Sequence, residues 1–108
     1  MEHDTINHVR TLVVDKVPRL LGDDLNSIIL FGSCARGDYD EDSDIDVAVL
    51  THSGTDYHKS LCDVSYDAME NENAVLNFIC ISDAEFQDKN AWYPFYKNIR
   101  TQGVKWYG

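Results

Sequence analysis

Basic residues are scarce in this sequence: nine Lys and Arg stand against nineteen Asp and Glu, a formal net charge of −10 over 108 residues. A surface that grips a phosphate backbone needs basic groups to release its counterions, so no direct binding of nucleic acid is expected. A basic protein partner, or a nucleotide that arrives with its own Mg²⁺, is easier to accommodate. Long apolar runs are missing as well. None approaches the ~20 residues that span a bilayer, and Met1-Glu2-His3-Asp4 lacks the basic and apolar regions of a signal peptide. No membrane association is expected, and the expected location is the cytoplasm. Cysteine is limited to Cys34, Cys62 and Cys80, an odd number with no CxxC spacing. That argues against a disulfide framework or a zinc site and fits a reducing compartment. The histidines His3, His8, His52 and His58 form no HExxH-like pattern and read as surface or structural residues. Repeats, low-complexity tracts and linkers are absent too, so residues 1–108 read as a single domain.

What is present is a regular alternation of helical and extended patterns. Ile6, Val9, Val13 and Val17 recur at spacings of three or four, with Leu20 and Leu21 following, and predict a helix over 3–21. Asp4 or Thr5 is its expected cap and Gly22 its stop. Pro18 is expected to kink it or to set off a separate last turn. Ser27–Phe31 is a short apolar run ending at Gly32, the pattern of a buried strand, and Ser33–Gly37 follows as a brief helical turn. After the acidic loop 38–43, Asp44–Leu50 reads as a second strand. A helix over 56–71, a third strand over 74–81, a short helical turn over 83–89 and a helix over 92–102 complete the pattern, with 104–107 as a terminal edge strand. Such alternation predicts an α/β (α+β) fold, helices packed on a small mixed sheet.

The chemistry concentrates in two motifs ten residues apart. Gly32 leaves a strand and enters a helical turn; lacking Cβ, it lets the chain bend sharply and lets a phosphate come close. The N–H groups that follow are unpaired at a helix start and face an anion, and Ser33 adds a hydroxyl. Asp44 and Asp46, two apart on an extended backbone, leave the same face. Adjacent carboxylates repel unless a cation lies between them, and hard oxygens of this kind suit Mg²⁺, which keeps waters and shares substrate phosphates. Two such ions, ~3.5–4 Å apart, stabilise the attacking and leaving oxygens of an in-line displacement. The expectation is phosphoryl-transfer machinery. Asp38, Asp40, Glu41 and Asp42 read as a solvated acidic face.

Leu30-Phe-Gly-Ser-Cys-Ala-Arg-Gly37 followed by Ser43-Asp-Ile-Asp-Val-Ala-Val-Leu50 resembles the signature of the minimal nucleotidyltransferases of the DNA polymerase β-like superfamily, a group often paired with HEPN-domain proteins in toxin–antitoxin operons. The specific part covers residues 30–50, and size and element order extend it over most of the chain. The resemblance implies the nucleotidyltransferase fold and transfer of a nucleoside monophosphate, AMP from ATP or another NTP, to an acceptor hydroxyl on a protein. It also implies Asp44 and Asp46 as metal ligands and catalytic residues, Gly32 and Ser33 as triphosphate binders, and a HEPN partner in a homo- or hetero-oligomer. Arg36 matches a basic residue near the nucleotide; a salt bridge to the acidic loop is the alternative. The superfamily commonly supplies a third carboxylate from the next core strand, where this sequence has Asn77. An amide can coordinate Mg²⁺ through its oxygen but cannot act as a general base. Asp63, Asp67 and Glu70 on the preceding helix are expected to face solvent. A catalytically weak antitoxin that binds NTP and neutralises its HEPN ribonuclease by contact is therefore the competing expectation. The aromatics Trp92, Tyr93, Phe95, Tyr96, Trp106 and Tyr107 close the core or form a partner surface; Lys97, Arg100 and Lys105 meet phosphate or balance nearby acids.

Overall fold

The computed structural model describes residues 3–88 and 94–108. Helix α1 (His3–Leu21) and a 3₁₀ turn (Gly22–Asp24) lead into β1 (Leu25–Phe31) and the single turn α2 (Ser33–Arg36). After an acidic loop come β2 (Ile45–Thr51), α3 (His58–Glu72), β3 (Leu76–Ser82), α4 (Asp83–Gln87), α5 (Pro94–Gln102) and β4 (Val104–Tyr107). The four strands form one mixed sheet in the order β3-β2-β1-β4. β1 runs antiparallel to β2 and to β4, whereas β2 and β3 are parallel, joined by the crossover through α3. The expected α/β (α+β) class and mixed sheet are what the chain adopts.

β1 and β2 read as near-continuous apolar runs because both of their faces are covered. On one face Ile28, Leu30, Ile45, Val47 and Val49 pack against Ile6, Val9, Val13 and Val17 of α1 and Leu61, Val64 and Ala68 of α3. On the other, Ile29, Phe31, Ala48, Leu50 and Ile81 pack against Tyr96 and Ile99 of α5. α1 continues through Pro18 to Leu21 with no separate last turn. Val17 and Leu21 on either side of the proline are both buried, and this packing outweighs the lost backbone bond.

α3 ends where Asn73 turns left-handed (φ 51°), its N–H donating to Met69 O at 3.1 Å. That cap releases the chain into β3. Ser82 Oγ accepts the Glu85 N–H at 3.1 Å and starts α4, as its residue type anticipates. Trp106 and Tyr96 join the core while Tyr107 is 40% exposed, so of the three C-terminal aromatics with described side chains two close the core. Trp92 and Tyr93, and the side chain of Phe95, lie outside the described part. Arg100 donates to Phe86 O and lies over the Phe86 ring, 5.1 Å from its centroid. Among the described residues no helix is long and apolar enough to cross a membrane.

Leu61, fully buried between α3 and the sheet, is the sharpest probe of this packing. Leu61→Ala is expected to cost about 2–5 kcal/mol in chemical denaturation, with an unchanged m-value.

Candidate active site

Strand register assembles the site. In the antiparallel pair Phe31 stands opposite Asp46, so Gly32, the next residue, turns away from β1 at the level of that carboxylate. In the parallel pair Asp46 stands beside Asn77. Side chains alternate along β2: Ile45, Val47 and Val49 enter the α1/α3 layer, and Asp46 takes the face of Ala48 and Leu50. Farther along that face the side chains of α5 cover Ala48, Leu50 and Ile81. Asp46 remains half-buried, and Asp44 and Asn77 are exposed.

Gly32 has φ 73° and ψ −157°, a conformation that is essentially glycine-only. Its second constraint is space: a Cβ there would stand 2.5 Å from Asp46 Oδ2. The bend and the carboxylate are thus in direct apposition. The bend is closed by the Ala35 and Arg36 N–H groups, both donating to Gly32 O at 3.1 Å. Ser33 opens α2 and is half-buried; Cys34 points inward, its thiol 3.5 Å from Asp44 O. Burial, with the Asp46 charge added, raises the Cys34 thiol pKa and keeps this weak donor protonated. Cys34 therefore ties the helical turn to the backbone of Asp44. In the sequence it reads only as a free thiol; its one legible signal is a small apolar residue inside the turn.

Asp44 lies one residue before β2 and Asp46 within it, on extended backbone. Their side chains converge on Asn77, whose Nδ2 donates to Asp44 Oδ2 at 2.9 Å and to Asp46 Oδ1 at 3.4 Å. Burial pushes the Asp46 carboxyl above the usual carboxylate range; the Asn77 hydrogen bond opposes this, the Asp44 charge adds to it, and the Arg36 charge opposes it. Arg36 itself pairs with Asp38 of the acidic loop, Nε to Oδ2 at 3.2 Å. The salt bridge to the loop is thus formed, and the Arg36 charge still reaches Asp46. Asp63 and Glu70 are exposed, and Asp67 pairs with Lys16. None of the three joins the site.

Two carboxylates that converge on Asn77, one of them beside the Gly32 bend, are hard oxygen donors of the kind that suits Mg²⁺. Among the described residues no third His, Cys, Asp or Glu completes a cluster with them. That matches an ion held by one or two carboxylates, with water and substrate phosphates supplying its other ligands.

A sequence model of the nucleotidyltransferase domain family matches residues 10–98. The chain belongs to that family. It is 38% identical over 79 residues to a Methanocaldococcus jannaschii protein with the provisional name protein adenylyltransferase, an alignment covering 73% of this chain and 75% of the relative. Its fold is shared with a chain of a toxin–antitoxin complex solved with AMP-PNP, at TM-score 0.63 and 21% identity, covering 100% of this chain and 74% of the other. It is shared too with a chain of the complex between a tri-AMPylated Shewanella oneidensis HEPN toxin and an MNT antitoxin, at TM-score 0.57 and 21% identity, covering 100% and 73%. Identities this low carry the fold, while the family model and the archaeal relative carry the nucleotidyltransferase assignment. The Gly32–Ser33 bend and the Asp44–Asp46 pair lie within the matched stretch.

Two substitutions test this nucleotidyltransferase site through stability. Because the folded-state pKa of Asp46 lies above its unfolded value, the folded chain holds the extra proton between the two values. Stability falls as pH rises through that window, and the full penalty applies at neutral pH. Asp46→Asn is therefore expected to raise the melting temperature of the metal-free protein at pH 7, and the gain should vanish below pH 3.8. A rise of up to about 4–8 °C is the ceiling, the response of a small domain to ~1 kcal/mol, since water screens a half-exposed carboxylate. Gly32→Ala is expected to cost about 1–3 kcal/mol in the same melts, from backbone strain alone.

Proposed function

We propose that this nucleotidyltransferase transfers AMP from Mg²⁺–ATP to a hydroxyl of a protein, and that it serves as the antitoxin of a HEPN-type toxin. The convergence of Asp44 and Asp46 at the Gly32 bend carries the reading. The name of the archaeal relative supports adenylyl transfer to protein, and the toxin–antitoxin complexes that share the fold support the partner.

The residues divide the work by chemistry. The Ser33 and Cys34 N–H groups, which meet no backbone acceptor among the described residues, and the Ser33 hydroxyl bind the anionic phosphates. Gly32 leaves them room, because no side chain stands between the bend and Asp46. Asp44 and Asp46 hold Mg²⁺, which when bound offsets the charge of the carboxylates and the triphosphate together. The acceptor oxygen then forms its bond to the α-phosphorus as the α–β phosphoanhydride bond breaks and pyrophosphate departs. Asn77 faces the pair as a hydrogen-bond donor and accepts no proton, so the proton of the attacking hydroxyl leaves to water or to a base of the acceptor protein. That same observation favours a second reading, an NTP-binding antitoxin that works by contact alone.

Incubation with Mg²⁺, α-labelled ATP and the co-purified partner protein separates them. Label is expected on the partner, with transfer lowered about 10²–10³-fold in Asp44→Asn, the usual loss when one electrostatic stabiliser is removed. Equal labelling by the wild type and the Asp44→Asn, Asp46→Asn double variant would sink the enzymatic reading. Protection of cells by that double variant would establish the contact reading instead.

A further inference from the structure

The carboxylate oxygens of the aspartate pair are not equivalent. Asn77 engages Asp44 Oδ2 and Asp46 Oδ1. The remaining oxygen of Asp46, Oδ2, is the one that faces Gly32, where a Cβ would stand 2.5 Å away. Among the described residues no other hydrogen bond reaches either carboxylate. The amide orientation is fixed by chemistry, since an amide oxygen turned toward two carboxylates would meet only acceptors. Asn77 is exposed and makes no other side-chain hydrogen bond among the described residues, so this bridge is its entire polar environment.

We propose that Asn77 is a positioning residue that grips the outer oxygens of Asp44 and Asp46, draws the two carboxylates to one point and turns Asp46 Oδ2 toward the Gly32 bend. The assignment rests on the nucleotide-transfer reading above and changes the part Asn77 plays in it. By the family resemblance its place on β3, in register with Asp46, is that of a third carboxylate, which would serve as metal ligand and base. The contacts instead make it a donor, which relieves part of the repulsion of a paired site and leaves one oxygen of each aspartate for the ion. Ligating carboxylates are commonly held by such partners, whose loss weakens metal binding about 10–100-fold.

Mn²⁺ binding to the full chain with AMP-PNP, followed by the EPR signal of free Mn²⁺, tests the assignment. Asn77→Ala is expected to weaken Mn²⁺ affinity about 10–100-fold and to lower the melting temperature of the metal-free protein. Asn77→Gln, which keeps the NH₂ donor, is expected to recover affinity relative to Ala. A role confined to folding would lower the melting temperature of both variants and leave Mn²⁺ affinity unchanged. In the wild type, the Asn77 side-chain NH₂ signals should keep their hydrogen-exchange protection when Mg²⁺–AMP-PNP is added. Unchanged or tighter Mn²⁺ binding by Asn77→Ala, or loss of that protection on loading, overturns the positioning role and leaves the nucleotide-transfer reading standing. Wild-type protein with no saturable Mn²⁺ binding, or binding equal to that of Asp44→Asn, Asp46→Asn, overturns both.

Discussion

The register of β1, β2 and β3 is the constraint on which the site depends. Phe31 opposite Asp46 brings the Gly32 bend to the carboxylate, and Asp46 beside Asn77 brings the amide. A slip of β2 by one residue would turn Asp46 into the α1/α3 layer and take Ile45 and Val47, whose side chains are fully buried there, out of it to the opposite face. The register that positions the polar groups is therefore enforced by apolar ones. Burying three branched side chains of β2 on one face fixes which face the aspartate takes, with no stabilising contribution required from the aspartate itself.

Electrostatics run the other way. The chain carries a net charge of −10, and a few of its acids pair with cations, Asp15 with Arg19, Asp67 with Lys16, Asp38 with Arg36. Pairs of this kind on a surface contribute little, of order 0–1 kcal/mol each. Asp44 and Asp46 differ from them in having an amide and no cation as their direct partner. A half-buried carboxylate whose pKa burial raises above the usual carboxylate range is a local departure from what stability alone would select, and such departures gather at functional sites.

Legibility in the sequence followed the strength of the physical signal. The apolar runs ending at Phe31 and beginning at Ile45 were readable because strands covered on both faces leave no polar alternation to confuse them. α1 is readable from its spacing, and of the two outcomes expected at Pro18 a separate last turn is not formed, because packing on either side of the proline decides over the local rule. The Gly-Ser bend and the Asp-x-Asp pair were readable as types and spacing, and the nucleotidyltransferase assignment followed from them. Strand order was not: nothing in a β-α-β pattern states that β4 returns to the far side of β1. Nor were the two fates of Arg36 separable, since a guanidinium two residues from Asp38 is within reach of both the loop and the site. Asn77 was legible as a position, from its place on the third strand. Its grip on two carboxylates at once depends on side-chain angles that no residue pattern encodes.

An amide at that position also bears on where the acceptor is activated. A divalent ion between two carboxylates is electrically balanced by the protein alone, and a third carboxylate would leave the site one negative charge in excess. With Asn77 the balance is kept, but among the described residues no third carboxylate or histidine then joins the pair as a base. On the proposed reading, the proton of the hydroxyl goes to water or to a base on the acceptor's side. Docking of the partner and chemistry are then not rival modes of action but successive ones: contact brings the hydroxyl, with whatever base its own protein supplies, to a nucleotide already held at the Gly32 bend. A chain built this way would discriminate its acceptor by fit rather than by proton affinity, and a free alcohol in solution, which brings no base and makes no contact, would be a poor substitute for the partner protein.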